Sequence, residues 1–391
     1  MKPLRILLVL PSPPLPFGTA DGRWYYILLK ELVKRKYCLT TFVACKSINE
    51  IDEIKSTFPS SEYDIRCYLY NQKSGILGKF KTVQQPYSYI FSQALQKDLK
   101  RELSKPFDVL HLEQIWSGWL GKGHESKALL NIHYLFSVDG TFQSPNTLEN
   151  KFRRLLSCRA ERKLLKSFNL ISTLTDRLTH SVQQLNPQAE LHTVPMGIDL
   201  SLYPFDKDKL ANHAPTVGLI GNFGWRPSYL AAERLLTRLW PSINEAVPNS
   251  RLQIVGRSAK NALGSFIDTP GLEIYQDVPD IIPYFQSTDV LLYAPDSGSG
   301  MKVKVMEAFA LGTPVVTTQE GVEGLEAEDR VHAGIADDDK LLIARTVEML
   351  TDSSFSKACR DQARKLMEDK FNIISTVSKV ESVYEQISSK Q

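Results

Sequence analysis

The fold of this chain is decided by the stretch Gly298-Ser-Gly-Met-Lys-Val-Lys-Val-Met-Glu-Ala-Phe-Ala-Leu-Gly-Thr-Pro-Val-Val316. This stretch is typical of a glycine loop, a helix, a tight turn and a buried strand. The apolar run at residues 289–295 precedes it and has the length of a short strand. Together they predict one strand–helix–strand unit, which places the loop and the helix N-terminus at the carboxyl edge of a parallel sheet. Open α/β sheets bind their ligands at that edge.

The residue types in the loop favour an anion. Gly298 and Gly300 let backbone N–H groups approach a ligand closely, and the helix N-terminus adds positive partial charge. Lys302 and Lys304 stand in the first turn, where the helix dipole disfavours lysine unless an anion is bound. Glu307 projects from about the same face as Lys304 and can accept hydrogen bonds from a ribose diol. Spacing alone leaves open the alternative of a surface turn with solvated lysines.

Length and composition indicate a two-domain globular protein. The chain has 391 residues, of which 42% are hydrophobic and 23% charged, and single cores rarely grow to this size. Its five cysteines are scattered, which argues for a reducing compartment and against zinc or a disulfide framework. The apolar run at residues 6–10 meets proline at once, so it suits a first strand better than a signal peptide. We therefore expect a cytoplasmic protein.

The net charge of +3 hides an asymmetry. Residues 1–200 contain 27 Lys and Arg against 18 Asp and Glu, whereas residues 201–391 contain 20 against 26. A basic first half suits a phospholipid surface or a lipid pyrophosphate, and nucleic acid is disfavoured because no basic tract is interleaved with aromatic residues. Residues 151–168 form a basic amphipathic pattern. It fits either a core-packed helix with a solvated face or contact with an anionic membrane.

Two successive α/β patterns divide the chain. The first half has apolar runs of strand length at residues 4–10, 39–44, 107–112, 129–134, 170–174 and 191–195, and the second has them at 216–221, 252–255 and 272–275. Residues 201–214 lack periodicity and suit a linker. We therefore expect a first domain at 1–205, joined by a C-terminal helix at 371–391, and a second domain at 206–370.

Other candidate residues follow strand ends. The glycine-containing loop at residues 17–22 follows the first strand, but it lacks dinucleotide and P-loop fingerprints, so a ligand loop and a structural turn both stay open. His133 closes a predicted strand and suits either a ligand contact or a structural role. Arg226 and Arg257 each follow a strand, where an arginine can bind phosphate or simply be solvated.

At this point the motifs resemble a known family. Residues 300–316, with Lys304-Val-Met-Glu307 and Gly312-Thr-Pro-Val-Val316, look like the donor-site signature of retaining glycosyltransferases with the GT-B fold (group 1, family 4-like). Further stretches resemble the family in order and spacing, and they lie at residues 107–111, 194–199, 216–227, 254–256, 277–280 and 321–325. The resemblance covers most of residues 105–330.

The resemblance implies a GT-B architecture: two Rossmann-like domains facing across a cleft, with the C-terminal helix crossing back to the first. The second domain would bind a nucleotide sugar, with a UDP-sugar favoured, and the first a glycan or lipid-linked acceptor. Lys304 would neutralise the diphosphate without a metal or other cofactor, Glu307 would bind the ribose, and His133 would lie near the transferred sugar. The donor-binding residues implied are Gly22, Arg226, Arg257, Val278, Ser299, Gly300, Met301, Lys304 and Glu307.

The chain also departs from the family pattern. Many members carry a glutamate at the position of Ser299 and an asparagine at that of Met196, and Arg226 is the only basic residue in the stretch 221–230. Two alternatives to a hexosyltransferase therefore stay open, namely a sugar-nucleotide epimerase and a non-catalytic scaffold that binds nucleotide sugars. The basic first half favours a lipid-linked or anionic glycan acceptor at the cytoplasmic face of a membrane, where the protein would be peripheral. The resemblance implies a role in polysaccharide or glycoconjugate synthesis.

Overall fold

A computed structural model describes residues 3–59, 61–71, 85–139, 147–206, 214–298 and 300–389. The chain divides into two compact units. The first comprises Met1–Gly197 together with Ile373–Gln391, and the second comprises Ile198–Asn372. The junction between them thus comes slightly before the boundary expected at residues 205/206, and the chain returns to the first unit close to the expected residue 371.

The first unit is built on a parallel sheet of seven strands in the order β3-β2-β1-β4-β5-β6-β7. The strands are β1 (Arg5–Leu10), β2 (Cys38–Cys45), β3 (Asp64–Leu69), β4 (Val109–Glu113), β5 (Ala128–Ile132), β6 (Leu170–Thr173) and β7 (Glu190–Thr193). Every strand predicted here is observed. The buried strands, such as β1 and β5, read as continuous apolar runs because both of their faces are covered. The sequence did not predict β3, an edge strand that is only partly buried and lacks such a run.

Helices follow the strands of this unit. They are α1 (Ala20–Lys34), α2 (Ile48–Thr57), α3 (Gln93–Leu103), α4 (Phe136–Asp139), α5 (Leu148–Leu165) and α6 (Asp176–Leu185). The C-terminal helix (Ile373–Ser389) also belongs to this unit. It is anchored by Tyr384, which is fully buried, and by Glu381, which accepts a hydrogen bond from the hydroxyl of Tyr37 at 2.9 Å. The return of this helix to the first domain, expected from the sequence, is therefore observed.

The second unit is built on a parallel sheet of six strands in the order β10-β9-β8-β11-β12-β13. The strands are β8 (Thr216–Asn222), β9 (Arg251–Arg257), β10 (Leu272–Gln276), β11 (Val290–Tyr293), β12 (Val315–Thr317) and β13 (Gly334–Ile335). The helices are α7 (Arg226–Arg234), α8 (Trp240–Ala246), α9 (Ala259–Leu263), α10 (Ile282–Gln286), α11 (Val303–Leu311), α12 (Asp339–Thr351) and α13 (Ser353–Lys370). The strand–helix–strand unit predicted from residues 289–316 corresponds to β11, α11 and β12.

Both sheets reverse their strand order at one point. In the first unit β1 lies between β2 and β4, and in the second β8 lies between β9 and β11. Successive helices leave such a point toward opposite faces of the sheet, so a crevice opens at the carboxyl ends of the two central strands. The two Rossmann-like domains expected from the sequence are thus observed, and each offers one ligand-binding edge.

Candidate active site

The glycine loop after β11 leads into α11 at the carboxyl edge of the second sheet. Gly298 has a φ of 146° and Gly300 a φ of 77°, a region that favours glycine. Ser299 lies outside the described residues. α11 begins at Val303 after Lys302, and no side-chain hydrogen bond caps this end. The helix therefore directs its first N–H groups and its positive partial charge toward the loop.

The ammonium of Lys304 lies where the two central strands of this sheet end. Its Nζ donates a hydrogen bond to Oγ of Ser228 at 2.9 Å and lies 3.9 Å from the ring centroid of Tyr293. A Cβ on Gly221 would come within 2.8 Å of the same nitrogen. Gly221 belongs to β8, Tyr293 ends β11, and Ser228 stands in the first turn of α7. One lysine thus joins three elements at the point where the strand order reverses.

The surroundings of Lys304 oppose its positive charge. Burial lowers the pKa of Lys304 to about 7, the charge of Lys302 acts in the same direction, and Glu307 acts against both. Although the residue as a whole is only half-buried, its ammonium is enclosed by the groups described above. Two helix N-termini without a side-chain cap, those of α7 and α11, also disfavour a cation there. An anion bound at this point would favour the charged form of Lys304 and raise its pKa.

Lys302 does not share this environment. Its Nζ lies 2.7 Å from Oε1 of Glu320 and 3.3 Å from Oε2 of Glu323, and it donates a hydrogen bond to the carbonyl of Gly300 at 2.7 Å. The sequence suggested that Lys302 and Lys304 both face a phosphate. The structure instead gives Lys302 two carboxylates as partners, so its charge is neutralised within the protein and it fixes the glycine loop.

Glu307 lies one helical turn beyond Lys304 and is 3% exposed. Its Oε1 accepts a hydrogen bond from the hydroxyl of Tyr203 at 3.2 Å. This contact fixes the orientation of a buried carboxylate on the helix that also carries Lys304. Sequence reasoning did not identify Tyr203, because it lies 104 residues away along the chain and no local pattern links the two.

The other predicted residues of this unit lie at the same carboxyl edge. Arg226 is the first residue of α7 and Arg257 the last of β9, and both are exposed. Val278 follows Asp277, whose φ of 53° is unusual for a residue other than glycine. Met301, next to the glycine loop, is buried. The edge therefore combines buried groups near Lys304 with exposed arginines at neighbouring strand ends.

In the first unit Gly22 stands in the first turn of α1. Its N–H donates a hydrogen bond to Oγ1 of Thr19, the N-cap residue, at 3.4 Å. A Cβ at this position would come within 2.6 Å of the carbonyl oxygen of Pro13. The close approach of the preceding loop thus explains why a glycine stands here, whether or not a ligand also uses the loop.

His133 follows the last residue of β5 and belongs to a buried polar cluster. Its Nε2 lies 2.8 Å from Oε2 of Glu113, the last residue of β4. Glu113 also accepts hydrogen bonds from Nε1 of Trp24 at 2.7 Å and from Nδ2 of Asn131 at 3.0 Å. Nε2 of His111 lies 3.1 Å from the same carboxylate. Sequence reasoning singled out His133 but gave no role to Glu113, the residue on which the cluster converges.

The cluster extends to the C-terminal helix. Nδ1 of His111 lies 2.5 Å from the hydroxyl of Tyr384. His133 is 8% exposed, whereas His111, Glu113 and Tyr384 are 1% exposed or less. His133 is therefore the most exposed of these four residues, and it lies at the carboxyl edge of the first sheet.

Two kinds of feature are absent from the residues that the structure describes. In that part of the chain no group of His, Cys, Asp or Glu side chains has an arrangement suited to a metal ion. Within the same residues, no helix is long and apolar enough to cross a membrane.

The second unit matches a known family. Residues 214–352 fit the family model described as "Glycosyl transferases group 1", and this segment contains the glycine loop, Lys304 and Glu307. The match lies wholly within the second unit. A comparison with curated proteins finds no match.

Solved structures resemble the chain over nearly its whole length. Sucrose-phosphate synthase from Thermosynechococcus elongatus has a TM-score of 0.74 at 16% identity, and the match covers 99% of this chain and 100% of that one. HepE from Anabaena in complex with UDP and glucose has a TM-score of 0.69 at 13% identity, with 98% and 100% covered. WaaG, a glycosyltransferase involved in lipopolysaccharide biosynthesis, has a TM-score of 0.67 at 14% identity, with 98% and 99% covered. These likenesses confirm the GT-B fold class.

Proposed function

We propose that this protein is a retaining glycosyltransferase that moves a hexose from a nucleotide diphosphate sugar to a glycan or lipid-linked acceptor. The observation that carries the proposal is the position of Lys304. Its ammonium is enclosed at the switch point of the second sheet, between two helix N-termini, and it forms no ion pair with a described residue. Such a site is electrostatically incomplete until an anion binds.

The same geometry supports a role in the chemical step. In glycosyl transfer the bond between the anomeric carbon and the diphosphate oxygen breaks, the oxygen of an acceptor hydroxyl bonds to that carbon, and the hydroxyl proton passes to the leaving diphosphate. Negative charge develops on the leaving diphosphate, where Lys304 and the N-termini of α7 and α11 are already oriented to stabilise it. Retention of configuration is inferred from the resemblance of residues 300–316 to the donor signature of retaining enzymes.

Glu307 supports a nucleotide rather than a simple phosphate as the ligand. A buried carboxylate one turn beyond Lys304 can accept two hydrogen bonds from a ribose diol, and its hydrogen bond with Tyr203 keeps it oriented. UDP is the favoured nucleotide because HepE, whose fold this chain shares, was solved with UDP and glucose. We expect no metal requirement, since the lysine and the helix ends supply the positive charge that a cation would provide.

Nucleotide binding and turnover of Lys304→Ala test the proposal. For the wild-type protein we expect thermal stabilisation by one class of UDP-, GDP- or ADP-sugar, and nucleotide release that depends on an acceptor and persists in EDTA. Lys304→Ala should keep the wild-type circular dichroism and lose both responses. Lys340→Ala, which removes an exposed lysine of α12, is the matched control and should keep both. Undiminished turnover by Lys304→Ala would overturn the assignment.

The same assays separate the two alternative functions. An epimerase would convert the sugar nucleotide without any acceptor, which chromatography of the sugar nucleotide would detect. A non-catalytic scaffold would show the thermal response and no turnover with any acceptor. Nucleotide release that occurs only when an acceptor is present supports the transferase.

A further inference from the structure

The N-terminal half of α5 carries an exposed apolar pair among basic residues. Phe152 and Leu155 belong to the apolar stripe of the amphipathic pattern predicted at residues 151–168, but in the structure they are 61% and 65% exposed. Only the later part of that stripe packs on the core, through Ala160, Leu164 and Leu165. Two large apolar side chains are therefore left in solvent on one helix, a feature that often marks an interaction surface.

Seven basic residues lie along α5 and at the residue that follows it. All of them are exposed, and they are Lys151, Arg153, Arg154, Arg159, Arg162, Lys163 and Lys166. Phe152, Leu155, Arg159, Arg162, Lys163 and Lys166 recur at helical spacing and thus share one face. We call these six residues the α5 surface.

Glu161, an acidic residue of α5 whose side chain the structure describes, does not lie on this surface. Glu161 is fully buried, and its carboxylate accepts hydrogen bonds from the backbone N–H groups of Phe136 at 2.6 Å and Ser137 at 3.1 Å. It therefore serves the interior of the unit. The exposed basic residues of the α5 surface lie in the half of the chain that has an excess of nine positive charges, residues 1–200.

The position of the α5 surface relates it to the predicted acceptor edge. A helix that follows a parallel strand begins at the carboxyl edge of the sheet, so the first turns of α5, with Phe152 and Leu155, lie toward the edge that carries His133. Glu161 ties the segment just after His133 to the same helix. The exposed apolar pair and His133 thus belong to one connected part of the first unit.

We propose that the α5 surface docks the first unit onto a lipid bilayer that contains anionic lipid. The basic residues are attracted to the anionic headgroups, and Phe152 and Leu155 insert at the boundary between headgroups and acyl chains. Docking would bring the predicted acceptor edge to the bilayer, so we infer that the acceptor is a lipid-linked molecule presented at the bilayer surface. This last step rests on the proposed function.

A bilayer suits this surface better than a nucleic acid. Phosphodiester backbones are bound by basic and polar side chains. Such a backbone offers no apolar surface against which Phe152 and Leu155 could pack. An interface of headgroups and acyl chains uses both kinds of side chain at once. A helix of 18 residues is about 27 Å long, which is long enough to lie in the bilayer surface.

Vesicle sedimentation of the full chain tests the proposal. We expect binding to vesicles of phosphatidylcholine with about one third phosphatidylglycerol, much weaker binding to phosphatidylcholine alone, and a decrease as salt screens the charges. Phe152→Ser combined with Leu155→Ser should weaken binding at least about ten-fold, and so should Arg159→Glu combined with Lys163→Glu. These residues are exposed, so the variants should keep the wild-type melting temperature.

Matched variants in the second unit serve as controls. Ile267→Ser removes an apolar side chain that is 63% exposed, and Lys260→Glu with Lys340→Glu reverses two exposed charges. Each should bind vesicles like the wild type. The proposal is overturned if the wild type ignores phosphatidylglycerol, if the α5 variants bind unchanged, or if double-stranded DNA displaces the protein from vesicles at equal charge. Thermal shift with UDP on the same samples separates this outcome from failure of the proposed function.

Discussion

Oε2 of Glu113 lies 2.8 Å from Nε2 of His133, inside a unit where Glu113 is completely buried. The same carboxylate lies 3.1 Å from Nε2 of His111, so two imidazole rings share one acid. Burial alone would raise the pKa of Glu113, but its interactions with His111 and His133 outweigh burial and hold the pKa well below its usual range. Glu113 is therefore the group that orients His133 at the edge of the sheet.

Glu113→Gln should destabilise the protein by about 3 kcal/mol at pH 7, since it leaves buried partners of a charged group unsatisfied. Because the folded pKa of Glu113 is depressed, its contribution is fully present above the unfolded pKa of about 4.3 and is lost as the pH falls below it. The difference from wild type in the free energy of unfolding should thus shrink below about pH 4. Urea unfolding at pH 7, 5, 4 and 3.5 measures it.

Glu53→Gln is the matched control, because Glu53 is exposed on α2 of the same unit. It should leave the unfolding midpoint unchanged at every pH. A loss for Glu113→Gln that stays constant down to pH 3.5 would show that its effect is one of packing and not of charge.

Glu113 also illustrates what the sequence could and could not predict. Apolar runs predicted every strand of the two sheets except β3 and β13, and the pattern around residues 298–316 predicted the loop and α11, the helix that carries Lys304. The partners of the site residues were not predictable, because Ser228 lies 76 residues from Lys304 along the chain and Glu113 lies 20 from His133. Such contacts depend on strand order, which local periodicity does not encode. The pairing of Lys302 with Glu320 was missed for the same reason.

Binding of a nucleoside diphosphate should be accompanied by proton uptake. The pKa of Lys304 in the free protein is lowered to about 7 by burial and by Lys302, so a large fraction of the lysine is neutral at pH 8. A diphosphate favours the ammonium. Titration calorimetry at pH 8 in buffers of different ionisation enthalpy should therefore show uptake of up to about one proton, with affinity falling as the pH rises from 7 to 9.

Lys304→Met serves as the reference for this measurement, because methionine cannot take up a proton. It should bind the nucleotide weakly, and any remaining binding should depend little on pH between 7 and 9. Equal proton uptake by this variant and the wild type would assign the titration to another group.

The ligand-free protein should become more stable when Lys304 is replaced by methionine. A lysine whose folded pKa lies below its unfolded value of about 10.4 reduces stability at pH 7, and this loss is relieved only as the pH rises toward that unfolded value. Removing the charge should raise Tm by about 2–4 °C for each kcal/mol recovered. Differential scanning calorimetry at pH 7 and 9.5 should show a smaller gain at the higher pH. A lower Tm at pH 7 would contradict the charge assignment.

Lys302 should behave in the opposite way. Lys302→Met leaves Glu320 and Glu323 facing each other without their shared cation, so we expect a loss of about 2–4 kcal/mol in the free energy of unfolding. The triple variant Lys302→Met with Glu320→Gln and Glu323→Gln should recover most of this loss, because no charge is then left unpaired. Urea unfolding of the three proteins at pH 7 measures both effects. A triple variant less stable than the single one would indicate that the carboxylates have other partners of equal weight.

Glu307 should determine recognition of the ribose. If its carboxylate accepts hydrogen bonds from the diol, the wild type should prefer UDP over 2′-deoxyuridine diphosphate by about ten-fold, the value of one hydrogen bond to a charged group. Glu307→Gln should reduce this preference to less than about three-fold, mainly by weakening UDP. Tyr203→Phe removes the hydroxyl that orients Glu307 and should have an intermediate effect on the preference. Titration calorimetry of both ligands with the wild type and the two variants measures these preferences. An unchanged preference in Glu307→Gln would indicate that the ribose binds elsewhere on this edge.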